Sequence, residues 1–430
     1  MNARHLVRTG ALIVVGQVAV ASLGITALRL YTNLAPPDVF GESNLILSAL
    51  ALGLQVFVAG FTAAQLRYYS EAEARRAGDE FTREAMIWAL RATAVLAGLI
   101  VFSWAVARMM GKVVYTPSLV ASGIAWLFAM VLRNVFLCRI QAERRQAAYA
   151  RIQVIEALLL LVVTLIALRL APRVESFLLG QTLAIVLLLV VILMGEKSAR
   201  TVFGAHSAAN TGFLSKAWSY GMPFAPMSAL SWLANLGDRY TLAFFLGADA
   251  TGRYVAPFSI ASRGLNLVSS ALCDLFRPIL FDAENRQDNR QARRIFASWI
   301  LCSVSLSTAG VAVIYVAGTL VARLLLAPGY RAGAVDIMLW VSFGYAVFGV
   351  TQVLENRLLS VGYSARLLLP IVLGAVANIA FSIVLIRRNG IVGAAQATCA
   401  SFVFQSMATT GVLLHALRRR GVSGPPEAQI

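Results

Sequence analysis

Six polar residues in the stretch 259–277, namely Ser259, Arg263, Asn266, Ser270, Asp274 and Arg277, recur at steps of three or four. A helix there carries them on one face. The residues between them are largely apolar, so the pattern is a polar stripe on an otherwise hydrophobic helix. An arginine fork can hold phosphate or carboxylate oxygens bidentately and keeps its proton, so this stripe suits recognition of an anion. Weaker versions of the pattern occur twice more. Ser228, Ser231, Asn235 and Asp238 precede Arg239, and Ser22 and Thr26 precede Arg29. Arg133 and Glu156 add two charges to other apolar runs. The candidate substrate contacts are therefore Arg263, Arg239, Arg29, Asn266, Ser270, Asn235 and Arg133, lining a cationic cavity. Asp274 is the first candidate for coupling to an ion, followed by Glu156 and Asp238. Each residue has a plainer reading. Arg263 could pair with Asp238, Asp274 or Glu156; Arg29, Arg239 and Arg91 could snorkel to an interface; the acids could form salt bridges or solvated helix ends.

Other chemistries find little support. Cys138, Cys273, Cys302 and Cys399 fall in or beside apolar runs without zinc or CxxC spacing. His5, His206 and His415 lie in a tail, a loop and a span end, so the expectation is no metal, no cofactor beyond a coupling H+ or Na+, and no catalytic residue. Basic residues dispersed among hydrophobic runs argue against nucleic acid as a partner.

Elements able to position such stripes follow from composition. Of 430 residues, 59% are hydrophobic and only 13% charged, where a soluble chain carries about a quarter charged. A membrane span takes about 20 apolar residues, and the chain divides into about twelve: 9–31, 44–66, 85–107, 116–138, 152–170 and 177–195, then 220–243, 254–276, 295–317, 333–354, 366–386 and 391–417. Ala19-Val20-Ala21 could mimic a signal-peptide cleavage site, but the apolar run continues to Leu30 and reads as the first span. Pro223 and Pro226 could bend the seventh span or sit harmlessly in its first turn.

The chain holds 37 basic against 20 acidic residues, a formal charge of +17. Under this layout 23 basic residues fall on the side of the N-terminus, ten on the other side, and Arg91, Arg133, Arg239 and Arg263 within spans. The positive-inside rule then places both termini in the cytoplasm, with Arg387-Arg388 the one pair on the wrong side. The same bias gives affinity for anionic membrane lipids.

The first and seventh spans end alike. Arg29-Leu30-Tyr31-Thr32 is followed by Asp38-Val39-Phe40-Gly41, and Arg239-Tyr240-Thr241 by Asp249-Ala250-Thr251-Gly252. Arg67 and Arg277 then end the following spans. The expected organisation is an all-α integral membrane protein of two six-helix bundles, 1–195 and 220–417, related as parallel repeats. A polar linker, 196–219, contains Ala208-Ala209-Asn210-Thr211-Gly212, and 418–430 is a cytoplasmic tail.

Several stretches resemble a known family. WLANLGDRYTLAFFLGADATGRYVAPFSIASRGLNLVSSALCDLFRPILF (232–281), LAPPDVFGESN (34–44) and IRRNGIVGAAQAT (386–398) are similar to segments of Wzx-type polysaccharide or O-antigen flippases, members of the multidrug/oligosaccharidyl-lipid/polysaccharide exporter superfamily. The resemblance implies a MATE-like fold and a carrier rather than an enzyme, flipping undecaprenyl-pyrophosphate-linked sugars across the bacterial inner membrane by alternating access, alongside other polysaccharide-assembly proteins. Drug exporters of that superfamily often carry an acid in the first span. Residues 9–28 contain none, only Gln17 as a notable polar group, which disfavours a cation-coupled drug exporter. A polysaccharide polymerase or ligase would be expected to carry a sizeable outer loop, and the outer loops here are about a dozen residues.

Overall fold

The structure is a computed structural model that describes residues 3–111, 115–204, 212–221 and 224–423. Among the described residues there is no strand. The α-helices are α1 (Ala3–Leu34), α2 (Pro37–Phe57), α3 (Ala59–Ala74), α4 (Gly78–Met109), α5 (Pro117–Ala142), α6 (Gln146–Leu170), α7 (Val174–Gly195), α8 (Lys197–Gly204), α9 (Phe213–Gly221), α10 (Phe224–Asn285), α11 (Asn289–Leu325), α12 (Ala334–Ser360) and α13 (Leu368–Ser423). Local chemistry sets several starts. Thr116 caps α5 by accepting from the Leu119 amide at 3.3 Å, with Pro117 in the first position, where no ladder donor is needed. Asp288 caps α11 through the Gln291 amide at 2.9 Å.

Among the described residues, ten helices are long and apolar enough to cross a membrane. Two of them are too long for one crossing, and each is broken at a glycine. Gly247 (φ 84°) interrupts α10 and Gly390 (φ 61°) interrupts α13, conformations that a side chain would strain. Counting the legs 224–246, 248–285, 368–389 and 391–423 separately gives twelve helical segments, the number of spans expected. The turn in the 220–254 region thus comes from Gly247. Pro226 lies in the first turn of α10, and Pro223 lies outside the described residues.

Two expectations need correction. The span read as continuous over 44–66 is broken at Val58 (φ −118°), between α2 and α3. Just beyond the break, Gly60 meets α9 so closely that a Cβ on it would stand 2.9 Å from the Gly221 carbonyl oxygen. The segment 196–219 is not merely a polar tether, because α8 and most of α9 fall within it. α9 lays Phe213 against Phe61 and Phe81 (ring centroids 6.3 and 5.0 Å apart), while Lys216 pairs with Glu71 at 3.0 Å. Burial of that apolar edge organises a stretch whose composition reads as loop. Ala208, Ala209, Asn210, Thr211 and His206 lie outside the described residues, as does the tail beyond Ser423.

The chain separates into two compact units, Met1–Ala229 and Leu230–Ile430. In the first, Leu127, Phe136, Leu178, Ile185 and Leu188 form a core between α5 and α7. In the second, Tyr254 tilts against Phe258, Tyr345 meets Phe258 and Phe402 edge to face, and Trp299 stacks on Phe276 at 5.7 Å. The units share local devices. Left-handed residues turn the chain after α3 and α5 (Arg76, φ 58°; Arg144, φ 59°) and after α10 and α12 (Gln287, φ 57°; Gly362, φ 86°). Both D-x-x-G segments open a helical leg, after Pro36 in one unit and after Gly247 in the other. Large apolar side chains such as Phe244, Leu170 and Val316 are more than 80% exposed, a surface that suits lipid.

Candidate functional site

The stripe on α10 lies on a less covered side of the second unit. Arg263, Ser270, Asp274 and Arg277 are exposed and Ser259 and Asn266 half-buried, whereas Ala261, Leu265, Leu272 and Cys273 between them are buried. The hydroxyls stay within their own helix: Ser259 donates to the Val255 carbonyl at 2.7 Å and Ser270 to the Asn266 carbonyl at 2.8 Å. These bonds satisfy the two hydroxyls within the helix itself. Pro278 has no amide hydrogen, so the Asp274 carbonyl loses its ladder donor beside the Asp274 side chain.

The second polar group centres on Asp238, 1% exposed. Its Oδ2 accepts from the Tyr254 hydroxyl and, at 2.9 Å, from the Thr398 hydroxyl, while its Oδ1 accepts from the Arg239 amide at 2.8 Å. The network joins both legs of α10 to the second leg of α13. The Arg239 guanidinium lies 5.1 Å from the Phe258 ring centre, and its Nε is buried without a hydrogen-bond partner. Asn235 donates to the Ser231 carbonyl at 2.7 Å. Near Gly237, Asn378 donates to Ser401 at 3.3 Å, leaving its Oδ1 buried without a partner.

In the first unit, Arg133 and Glu156 are partners. Arg133 Nη2 and Nε reach Glu156 Oε2 at 2.5 and 3.1 Å, and Nη1 donates to Asn134 at 2.9 Å. Arg29 is half-buried with Nη1 lacking a hydrogen-bond partner. Of the acids considered for pairing with Arg263, Glu156 is thus held by Arg133 and Asp238 by hydroxyls and an amide.

Sequence reasoning missed a third set of groups at the helix ends. Arg139, 5% exposed at the end of α5, bonds Asp79 and, at 2.8 Å, Glu143, while Arg357 at the end of α12 pairs with Glu284. Arg277 Nε donates to Asn356 at 2.7 Å, and Gln405 donates to Glu355 at 3.3 Å. Arg139 and Arg357 each stand in the last turns of a membrane helix, α5 and α12. Around Arg139 lies a cavity of about 670 Å³, lined also by Tyr69, Glu73, Arg76 and Arg144. Among the described residues, no three His, Cys, Asp or Glu side chains cluster so as to hold a metal ion.

Comparison with solved structures identifies the fold. A multidrug-resistance MATE family transporter of the MOP superfamily, in its inward-facing conformation, superposes with a TM-score of 0.74 at 14% identity, covering 96% of this chain and 100% of that one. The lipid II flippase MurJ, inward closed, gives 0.72 at 12% identity over 95% and 87%. A MOP-superfamily transporter from Pyrococcus furiosus gives 0.63 at 14% over 96% and 95%. At these identities the likeness establishes the fold. No curated protein matches the sequence. The family comparison is decisive, because the model of the polysaccharide biosynthesis proteins matches residues 6–283. The chain is a multi-pass membrane protein with the fold of the MOP-superfamily transporters, and it belongs to the polysaccharide biosynthesis protein family.

Proposed function

We propose that the protein flips an undecaprenyl-pyrophosphate-linked oligosaccharide from the cytoplasmic to the periplasmic leaflet of a bacterial inner membrane, supplying surface-polysaccharide assembly. The supporting observation is Arg263, exposed on the polar stripe in the middle of an apolar leg of α10. An arginine at a span centre costs on the order of 2.5–3.5 kcal/mol on insertion scales, and one exposed on a polar stripe suits an anionic ligand such as a pyrophosphate head group. The guanidinium can hold its oxygens while the polyprenyl tail stays in lipid, and the hydroxyl and amide groups of Ser270 and Asn266 suit sugars. Moderate, repeated contacts favour release over capture. Arg239, Arg29, Asn235 and Arg133 belong to the same reading, Arg133 with its charge already balanced by Glu156.

The carrier opens to each leaflet in turn, with both termini in the cytoplasm and with membrane lipids and other polysaccharide-assembly proteins as partners. Coupling to H+ or Na+ is part of the proposal. Glu156 is salt-bridged, and Asp274 is exposed beside a freed carbonyl. Asp238 offers a sodium ion its carboxylate, although three donors already occupy it. The competing reading, a cation-coupled drug exporter, shares the fold but lacks an acid in residues 9–28. The test is Arg263→Ala in cells dependent on this protein for surface polysaccharide. Export is lost while membrane insertion stays normal; wild-type export would overturn the assignment.

A further inference from the structure

We propose that Glu355 carries the proton that drives transport, with the Gln405 amide as the hydrogen-bond partner that follows its protonation. This rests on the transporter reading above and decides between the two coupling ions it allows.

Other buried carboxylates of the chain are committed. Glu156 is held by Arg133, Glu284 by Arg357, and Asp238 by Tyr254, Thr398 and the Arg239 amide. Glu355, partly buried on α12 between Leu354 and Asn356, has one neutral partner. Its Oε1 accepts from Gln405 Nε2 at 3.3 Å, and among the described residues no cation stands within ion-pair distance. Among the described residues, none of the charged groups on the elements packed against α12, Arg290, Arg293 and Arg294 of α11 included, forms an ion pair with Glu355. On α10, Asp274 and Arg277 share with Glu355 electrostatic reach of Cys273, and Arg277 Nε is spent on Asn356. On α12, Arg357 is taken by Glu284. α13 presents Gln405, a neutral amide. An ionised carboxyl so placed is poorly compensated, and binding one proton removes that cost.

The amide supplies the second state. Toward an ionised Glu355 it presents Nε2, as observed; toward a protonated one it can turn and present Oε1 to the new O–H donor. Gly374 leaves room beside that oxygen, since a Cβ there would lie 2.7 Å from Gln405 Oε1. A two-state hydrogen bond of this kind lets protonation bias the packing of α12 against α13. In the step itself, a Glu355 oxygen forms one O–H bond with a proton taken from water on one side of the membrane. The same bond breaks to return the proton to water on the other side, and no electrons are transferred. The surroundings of Glu355 suit a proton better than a sodium ion, which needs several oxygens. Here the neighbours offered are an amide and the Cys273 thiol, which donates to Gln352 at 3.8 Å.

The experiment uses the full-length protein reconstituted in vesicles of phosphatidylethanolamine and phosphatidylglycerol. Infrared difference spectra across a pH step read the C=O stretch of a protonated carboxyl. The band is expected in wild type and Asp238→Asn, shifted in Glu355→Asp, absent in Glu355→Gln, and altered in position in Gly374→Ala. In cells, Glu355→Gln inserts at the wild-type level yet no longer exports polysaccharide. The proposal is overturned if Glu355→Gln keeps the band or exports at the wild-type rate. It is equally overturned if export follows an imposed sodium gradient and is lost in Asp238→Asn but not in Glu355→Gln. If the band behaves as expected but wild type restores no export, the proton site stands and the flippase reading fails.

Discussion

Replacing Tyr254 by Phe removes one hydroxyl from a ring with no exposed surface and leaves its packing against Phe258 in place. The lost bond is the one donated to Asp238 Oδ2. Bonds to charged acceptors contribute about 1.5–3 kcal/mol in soluble proteins, but hydrogen bonds between membrane helices average about 0.6 kcal/mol with a maximum near 1.7. Asp238 is 1% exposed and cannot turn to water, so the upper membrane figure applies, about 1.7 kcal/mol or roughly 15–20-fold in the unfolding equilibrium. Asp238→Ala strips the acceptor from three donors at once and costs more, about 3 kcal/mol or above. Asp238→Asn keeps an acceptor and falls between. Thr398 shares Oδ2 with Tyr254, so the Tyr254→Phe/Thr398→Val double variant leaves that oxygen bare and loses more than the sum of the singles. Equilibrium unfolding in mixed detergent and dodecyl sulfate micelles measures these four and the Thr398→Val single. A Tyr254→Phe cost within about 0.3 kcal/mol of zero, or an Asp238→Ala cost no larger than that of Tyr254→Phe, would refute the reasoning, because it would mean the buried network is not what joins α10 to α13.

Two further outcomes follow from the packing of the first unit. Arg133→Ala and Glu156→Ala each strand a partner; with the side chains 19% and 12% exposed, each costs about 1–3 kcal/mol, a discount on the range for fully buried pairs. The double variant costs less than either single, which the same micelle assay reads. Gly60→Ala forces a methyl to within 2.9 Å of the Gly221 carbonyl oxygen and destabilises by about 1–3 kcal/mol. Gly98→Ala, with nothing within 4 Å of its added carbon, is neutral or slightly stabilising in comparison.

Much of the architecture was legible in the chain. Apolar runs of span length fix where helices can lie, and most predicted spans fall inside observed helices. α12, for example, covers Ala334–Ser360 against an expected 333–354. The second span misled because nothing in 44–66 marks Val58 as a break. That position is chosen by the approach of Gly60 to Gly221, residues far apart in sequence. The linker misled for a similar reason. Phe213, Ala217 and Gly221 are too few to announce a helix, and only the surface of α3 and α4 gives them something to bury against.

For the candidate site the division is sharper. Periodicity alone placed Ser259, Arg263, Asn266, Ser270, Asp274 and Arg277 on one face of α10, because helical spacing is a local property. Which charges meet is not local. Arg133 with Glu156, Arg357 with Glu284, and Asp238 with Tyr254 and Thr398 are brought together by packing between helices. Among the described residues that same packing gives Glu355 no ionic partner, although by sequence it is only two residues from Arg357. The sequence determines where polar groups are affordable along each span. The tertiary structure decides which of them are neutralised, since a charge buried among helices is set by the neighbours across the interface and not by those along the chain.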